Sequence, residues 1–286
     1  MPRLLAVGHV TWDLRAGGEV LGGSVSYGTL TARKLGWEAG VLTAAGPEFE
    51  PERDLPGIAV FLARSPVTTR FRNVYGNDGT RQQFLATRAQ DVAMLSLPDD
   101  WRRPDALLLC PVAGEITSAL APAFEAGCVG AVAQGWLRAF EPDGRVSPQD
   151  WDHPERHLTG VHVLFLSEHD LPGGVERARG FLAHVPIVAV TQGWRGVTLL
   201  TRAGAQSVPT LPRPEVDPTG AGDVFAAAFL LGYHESGDPV EAAAFACCAA
   251  SCAVEGVGTT SLGDRAEVQR RIARREHFLE EGEWDD

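Results

Sequence analysis

The residues with the clearest chemical potential are Gly220, Ala221, Gly222 and Asp223, which stand directly before the apolar run of residues 224–233. Two glycines around one small residue let backbone N–H groups converge without interference from Cβ atoms. At the positive end of a helix dipole such amides favour an anion, and a transferring phosphoryl group carries that charge. The loop therefore predicts an anion site.

Asp223 falls in the first turn of the predicted helix, where the dipole favours the ionised carboxylate. An ionised Asp beside a phosphoryl pocket can accept the proton of an alcohol nucleophile. The alternative is a glycine-rich loop in which Asp223 only stabilises the helix start. The chemistry of these residues alone leaves both interpretations open.

The elements that must position this loop follow the alternation of an α/β protein. Short apolar runs predict strands, and segments between most of them predict helices, an order that builds a sheet with parallel strands. The predicted strands are residues 3–7, 38–43, 106–109, 129–132, 161–166 and 187–191, with shorter edge strands at 196–200 and 205–208. The predicted helices are residues 24–35, 221–233, 239–254 and 264–280, and the arginine cluster of the last one is expected to be a solvated face.

Residues 14–21 and 67–86 depart from this alternation. Both change side-chain type at period two, and the second contains Gly76-Asn77-Asp78-Gly79, which is typical of a hairpin turn. These strands are too few for a separate domain, so we interpret them as a β flap, with ordinary surface hairpins as the alternative. No linker divides the chain, and the prediction is a single domain over residues 1–286.

Composition excludes several classes of function. The 25 Lys and Arg residues stand against 37 Asp and Glu, and the net charge of −12 disfavours nucleic acid and anionic lipid as partners. No apolar stretch reaches the ~20 residues that cross a bilayer, and the first residues lack a signal-peptide core, so a cytoplasmic location is predicted. Five cysteines without a paired ligand spacing predict reduced thiols.

Residues 216–225 resemble the C-terminal signature of the PfkB, or ribokinase-like, carbohydrate kinases. The likeness extends across nearly the whole chain, because Gly22-Gly23 resembles the N-terminal Gly-Gly motif and Gly8 followed by Asp13 resembles the first strand and its substrate-holding acid. The resemblance implies ATP-dependent phosphorylation of a hydroxyl group. It also implies a Rossmann-like, ribokinase-type α/β sandwich with a central, mostly parallel sheet, helices on both faces and a small β lid.

The resemblance assigns roles to these residues. Asp223 becomes the base, the amides of residues 220–222 become the anion hole, and Asp13 with Gly22 and Gly23 holds the acceptor hydroxyls. Closure of the lid would exclude water from the reaction.

The segment 191–196 resembles the T-x-G-x-x-G sequence beside the nucleotide, and residues 249–258 resemble the helix and loop that flank the adenine. The implied ATP-binding residues are Thr191, Gly193, Gly196, Thr219, Gly220 and Gly222. The similarity also suggests a monovalent cation, K⁺, near Asp217 and Thr219, with carbonyl ligands from residues 253–258.

Two departures from the family pattern matter. Where the family commonly has N-x-x-E near magnesium, this chain reads Ser167-Glu168-His169-Asp170. Asp170 keeps a carboxylate at the last position and could act on Mg²⁺ through a water, and Glu168 is the second candidate. Tyr27 occupies the position where ribokinase-like sugar kinases carry an Asn, so ribose is not the default acceptor.

Alternation along the flap puts Asn73 on one face with Phe71 and Tyr75, opposite Arg70 and Arg72. This pattern resembles, weakly, the branch that includes inositol kinases. Asn73 and Tyr27 are therefore expected to bind the acceptor, which is predicted to be a sugar, a cyclitol or another polyol, or a nucleoside.

Two rival functions remain. A catalytically weak sugar- or nucleotide-sensing protein could keep the fold while the altered 167–170 motif no longer handles magnesium. A dinucleotide-dependent oxidoreductase is disfavoured, because Phe225 stands where the third glycine or alanine should be. The exposed edges of the flap strands can pair with a second copy, which makes a homodimer through the lid a further prediction.

Overall fold

The structure is a computed structural model that describes residues 1–15, 17–75, 81–211 and 213–281. Its strands are β1 (Arg3–Val7), β2 (Thr11–Arg15), β3 (Gly18–Gly22), β4 (Glu38–Ala45), β5 (Ala59–Arg64), β6 (Thr69–Tyr75), β7 (Arg81–Thr87), β8 (Ala106–Leu109), β9 (Cys128–Val132), β10 (Arg138–Phe140), β11 (Val146–Pro148), β12 (Val163–Ser167), β13 (Ile187–Thr191), β14 (Val197–Thr201) and β15 (Gly204–Val208). Its helices are α1 (Ser24–Lys34), α2 (Pro51–Asp54), α3 (Asp99–Arg102), α4 (Pro154–His157), α5 (Gly174–Ala178), α6 (Ala221–Ser236), α7 (Pro239–Ala253) and α8 (Arg265–Glu281).

The larger sheet has the strand order β15-β14-β13-β12-β9-β8-β1-β4-β5. Within this order, all neighbouring strands between β13 and β5 are parallel. Strands β14 and β15 continue the sheet beyond β13 and are antiparallel to their neighbours. The predicted α/β class with a mostly parallel sheet is confirmed. In such a sheet the carboxyl ends of the parallel strands share one edge, where ligands bind in open α/β folds.

The two faces of this sheet are covered differently. The long helices α1, α6, α7 and α8 pack on one face, whereas short helices, 3-10 turns and loops pack on the other. The helical segments are short over residues 110–162, where the chain forms 3-10 turns, the hairpin of β10 and β11 and the four-residue helix α4. Strand β5 was not predicted, because its residues carry no clear alternation and only its position beside β4 makes it a strand.

Helix α6 is fixed to the sheet by aromatic packing. Phe225 and Phe229 of α6 pack edge to face against Phe165 of β12, with ring centroids 6.1 and 5.4 Å apart. The helix is buried along most of its length because α1 and α7 flank it. Its amino end, which carries the predicted anion loop, therefore has a fixed place relative to the strands.

The arginine cluster of α8 is more buried than the sequence predicts. Arg271 donates to Glu255 and Glu267, each at 2.7 Å, and Arg275 donates to the carbonyl of Pro209 at 2.7 Å. Both side chains are buried. The expectation of a solvated face is wrong at these two positions, since they tie α8 to the loops around residues 209 and 255.

The second sheet has the order β3-β2-β6-β7, so both predicted flap segments form strands. The predicted turn Gly76-Asn77-Asp78-Gly79 lies outside the described residues. His9 joins this sheet to the larger one, because its Nε2 donates to the Gln90 carbonyl at 2.7 Å and its Nδ1 lies 2.8 Å from the Thr69 hydroxyl. Whether the sheet acts as a lid stays a prediction.

The structure also bears on membrane-spanning helices and on disulfide bonds. Across the described ranges, no helix combines the length and the hydropathy that a bilayer crossing requires. The five cysteines are buried, and none of them is bridged in the described part of the chain.

Candidate active site

The predicted anion loop forms the start of α6. Gly220 precedes the helix with a φ of 82°, a left-handed conformation that glycine adopts without cost. A Cβ atom at this position would also overlap the ring of Tyr27. Glycine is therefore required at residue 220 by both the backbone and the packing.

The amides of this loop differ in their hydrogen bonding. In the described part of the chain, neither the Gly220 amide nor the Gly222 amide donates to a protein acceptor, whereas the Ala221 amide donates to the Pro218 carbonyl at 3.2 Å. Gly222 is exposed, and apart from its own helical turn no heavy atom lies within 4 Å of the position that a Cβ would take. The predicted three-amide hole therefore reduces to two open amides, with Ala221 held in a long internal bond.

Asp223 lies in the first turn of α6, and its side chain is partly exposed. Burial raises the pKa of its carboxyl to about 6, and the charges of Asp170 and Asp13 add to that effect. A hydrogen bond from Ser24 and the charge of Arg138 act in the opposite direction on the pKa. A group with this pKa is still mostly ionised at pH 7, although burial acts against the effect of the helix dipole.

The predicted acceptor residues meet at the junction of β2, β3 and α1. A Cβ at Gly22 would lie 2.9 Å from the Asp13 carboxylate, and a Cβ at Gly23, whose φ is 88°, would lie 2.6 Å from the His9 carbonyl. The two glycines thus let α1 start directly against strand β2. The register of β2 with β6 pairs Asp13 with Phe71.

Asn73 lies two residues beyond Phe71 on β6 and therefore shares a face of the second sheet with Asp13. Its side-chain oxygen accepts a hydrogen bond from Gln83 at 3.2 Å. The structure brings Asn73 to the same sheet face as Asp13, and a role in acceptor binding stays a proposal.

Tyr27 is only 2% exposed. Burial raises the pKa of its hydroxyl well above the usual value, and the charges of Asp223, Asp13 and Asp217 raise it further. Its ring packs against Gly220 rather than forming an open wall. Tyr27 thus lies among the carboxylates of the site, but most of its surface supports the loop.

The predicted magnesium residues are in different environments. One guanidinium nitrogen of Arg195 lies 2.6 Å from both carboxylate oxygens of Glu168. Asp170 accepts a hydrogen bond from the Ser167 amide at 3.1 Å and lies close enough to Asp223 to raise its pKa. Glu168 is therefore an ion-pair partner, and Asp170 is the carboxylate that faces the candidate base.

No group of three His, Cys, Asp or Glu side chains is arranged to hold a metal among the described residues. Mg²⁺ usually takes one or two carboxylates together with waters and phosphate oxygens. Asp170 fits that donor set, whereas the ion pair of Glu168 and the contacts of Asp217, which Arg15 and Thr219 satisfy, do not.

The predicted nucleotide segment follows β13. Gly193 and Gly196 have φ values of 60° and 95°, and a Cβ at Gly196 would overlap the Val208 carbonyl, so Gly196 has a packing role in the turn between β13 and β14. Thr191 donates to the Leu166 carbonyl at 3.4 Å. Trp194 is 71% exposed, which places a large apolar surface beyond the carboxyl end of β13.

Ser24 and Arg138, which act on Asp223, were missed as site residues. Ser24 had a usable signal, because it directly follows the two glycines and begins α1. Arg138 had none, since it lies on the short strand β10 in a region without regular periodicity. Arg15, which pairs with Asp217 at 2.9 Å, was also missed.

The chain is similar to known carbohydrate and nucleoside kinases. Residues 146–265 match the model of the pfkB family of carbohydrate kinases. A nucleoside kinase of Methanothermobacter thermautotrophicus is 24% identical, and the alignment covers 94% of this chain and 95% of the relative. An ATP-dependent ribose-1-phosphate kinase of Halopiger xanaduensis is 25% identical over 92% of this chain and 96% of the relative.

A solved structure shares the fold. It is a pyrophosphate-dependent kinase in the ribokinase family, complexed with a pyrophosphate analogue and myo-inositol, with a TM-score of 0.75 and 24% identity over 93% of this chain and 99% of that chain. The family match, the full-length relatives and the loop before α6 lead to one assignment. Residues 146–265 are similar to the pfkB family of carbohydrate kinases, and the chain is a small-molecule kinase.

Proposed function

We propose that the protein transfers the γ-phosphoryl group of ATP to a hydroxyl of a sugar, a cyclitol or a nucleoside. The observation that carries this proposal is the pairing of Asp223, whose pKa is about 6, with the open amides of Gly220 and Gly222 at the same helix start. A carboxylate of raised pKa is a better proton acceptor than an ordinary Asp, and it stays mostly ionised at neutral pH.

In the proposed step, Asp223 accepts the proton of the acceptor hydroxyl while the hydroxyl oxygen bonds to the γ-phosphorus. The bond from that phosphorus to the bridging oxygen breaks, and ADP leaves with the electron pair. The amides of Gly220 and Gly222, at the amino end of α6, would stabilise the negative charge of the transferring group. Bound Mg²⁺ would neutralise phosphate charge, with Asp170 as its carboxylate partner.

The donor could also be pyrophosphate, because the structural neighbour described above depends on it. Three arginines near the loop and the donor edge are already neutralised, in the pairs Arg15 with Asp217, Arg195 with Glu168 and Arg213 with Glu255. Pyrophosphate has no nucleobase to stack on the protein, so its binding would depend on positively charged side chains or on metal ions. The exposed indole of Trp194 instead offers a surface on which a nucleobase can stack, and this supports ATP.

Measuring both donors tests this preference. Wild type is expected to turn over with ATP, and Trp194→Ala to raise the KM for ATP about tenfold while any pyrophosphate activity is unchanged. Leu279→Ala, which removes another exposed apolar side chain, 49% exposed, from α8, serves as the control. A wild type that uses pyrophosphate in preference to ATP would overturn the donor assignment.

The reaction itself is tested with a panel of sugars, cyclitols and nucleosides in the presence of ATP and Mg²⁺, with ADP release as the readout. Asp223→Asn should lower kcat by about 10²- to 10⁴-fold, because an amide cannot take up the proton. Asp152→Asn, an exposed carboxylate in a loop, should leave kcat unchanged. Near-normal turnover of Asp223→Asn would remove Asp223 as the base.

A wild type that binds panel members, as shown by thermal shifts, but releases no ADP with any of them would contradict the proposed reaction. That outcome would favour the sensing function.

A further inference from the structure

Arg15 joins the second sheet to the loop that leads into α6. It is the last residue of β2, and its Nη2 lies 2.9 Å from Oδ2 of Asp217, 202 positions away in the chain. Oδ1 of Asp217 accepts the amide hydrogen of Thr219 at 3.0 Å. Both oxygens of this carboxylate are therefore engaged, one by a cation and one by the loop itself.

The charge state of Asp217 agrees with these contacts. Partial burial opposes its ionisation, but the hydrogen bonds from Thr219 and Arg15 outweigh that effect and hold the pKa of the carboxyl below its usual value. Asp217 is thus an anion at neutral pH with Arg15 as its counter-charge.

The resemblance stated above implies a monovalent cation at this place, but the Asp217 carboxylate and the carbonyls of residues 253 and 254, which it would need as ligands, already accept hydrogen bonds. The Val254 carbonyl accepts the amides of Val216 and Asp217, at 2.7 and 3.2 Å, which uses both of its lone pairs. The Ala253 carbonyl accepts the Ser261 hydroxyl at 2.9 Å. The residues of this region therefore do not fit a K⁺ site.

We propose that Arg15 takes the place of the monovalent cation: its guanidinium supplies the positive charge at Asp217, and turnover does not depend on K⁺. Unlike a free ion, this charge is attached to strand β2. Arg15 therefore also holds the second sheet against residues 217–220, so that sheet and anion loop keep their relative position. Arg15 is a positioning residue, because it acts on the loop through Asp217. The proposal rests on the proposed phosphotransferase function.

The test compares KCl with choline chloride at constant ionic strength, with turnover and thermal unfolding as separate readouts. Wild type is expected to show the same kcat in both salts, and no K⁺-specific rise in unfolding temperature. Arg15→Met should lose about 10- to 100-fold in kcat in choline chloride, because the loop loses its fixed position. K⁺ should restore part of that loss and stabilise this variant specifically.

Two further variants sharpen the test. Arg15→Lys keeps the charge but not the planar fork, so it should retain more activity than Arg15→Met and respond less to K⁺. Arg64→Met, an exposed arginine at the end of β5, controls for the loss of a strand-end charge.

Three results would overturn the proposal: severalfold stimulation of the wild type by K⁺, an Arg15→Met variant with unchanged kcat, or a raised KM for ATP in that variant without rescue by K⁺. The last result would mean that Arg15 binds the donor. If the wild type is inactive with every acceptor, the proposed function fails. The replacement of K⁺ by Arg15 is then still tested by the K⁺-specific shifts in the unfolding temperature of the wild type and of Arg15→Met.

Discussion

Helices α1 and α6 both begin after a glycine with a positive φ, and their first turns have opposite surroundings. Helix α1 follows Gly23, with a φ of 88°, and α6 follows Gly220, with a φ of 82°. Neither helix start has a side-chain cap. The first turn of α1 is buried against the chain around His9, whereas Gly222 in the first turn of α6 is exposed with open space above it.

The same local signal thus has two physical meanings. At α1 the glycines let a helix start against strand β2, where any Cβ would meet protein atoms. At α6 the glycine at 220 serves packing against Tyr27, and the glycine at 222 leaves room for something that is not protein. The surroundings of a glycine-rich helix start therefore decide what it can do, and of these two only the start of α6 has open space beside it.

Among the glycine substitutions, the largest expected effect comes from filling the open space at α6. Gly222→Ala should lower kcat by about 100-fold, since a methyl group would obstruct the approach of a phosphoryl group to the amides. The same change should raise the free energy of unfolding by up to about 1 kcal/mol, because alanine favours a helix. Steady-state kinetics and urea unfolding measure the two effects.

Gly180→Ala is the matched control, since this glycine also lies in a helical turn with nothing within 4 Å of the added methyl group. It should keep full activity. Normal kinetics of Gly222→Ala would mean that the open face of α6 is not where the donor binds.

At α1 the corresponding change should act on stability. Gly23→Ala combines a positive φ with an overlap on the His9 carbonyl, and we expect a loss of about 2 to 4 kcal/mol in the free energy of unfolding. Gly237→Ala has a φ of 70° but open space, so its loss should be near 1 kcal/mol, from backbone strain alone. Equal losses for the two variants would show that the packing at Gly23 contributes nothing.

The comparison also separates what the sequence can predict from what it cannot. Strands β1, β8 and β13 and the start of α6 were predicted at their observed positions, because short apolar runs and glycines that end or begin an element are local signals. The contact of Arg15 with Asp217 was not, since it joins residues 202 positions apart. The raised pKa of Asp223 has no local signal for a related reason, because distant segments of the chain bury the carboxyl.

The raised pKa of Asp223 has a consequence for stability. The folded protein holds this proton up to about pH 6, whereas an ordinary Asp loses it near pH 3.8, so ionisation destabilises the fold as the pH rises between those values. Asp223→Asn cannot ionise and should be more stable than the wild type at pH 7.5, by about 1 kcal/mol. The gain should disappear near pH 4 in urea unfolding. A variant that is no more stable at pH 7.5 would contradict the raised pKa.

The smallest expected effect comes from the hydrogen bond that joins the two helix starts. Ser24, the first residue of α1, donates to Asp223 in the first turn of α6, and this hydrogen bond lowers the pKa of the carboxyl. In the wild type, kcat/KM should rise with pH through about 6 as Asp223 ionises. Ser24→Ala should shift that rise to higher pH by less than about one unit, with a similar plateau, because the base stays in place.

Ser26→Ala isolates this effect, since Ser26 is buried in the same turn and its hydroxyl donates to the Gly22 carbonyl at 2.8 Å. It should reduce stability without moving the pH profile. If both serine variants moved the profile equally, the shift would reflect a general loosening of α1. A shift confined to Ser24→Ala would mean that Ser24, at the buried start of α1, sets the pKa of Asp223 at the exposed start of α6.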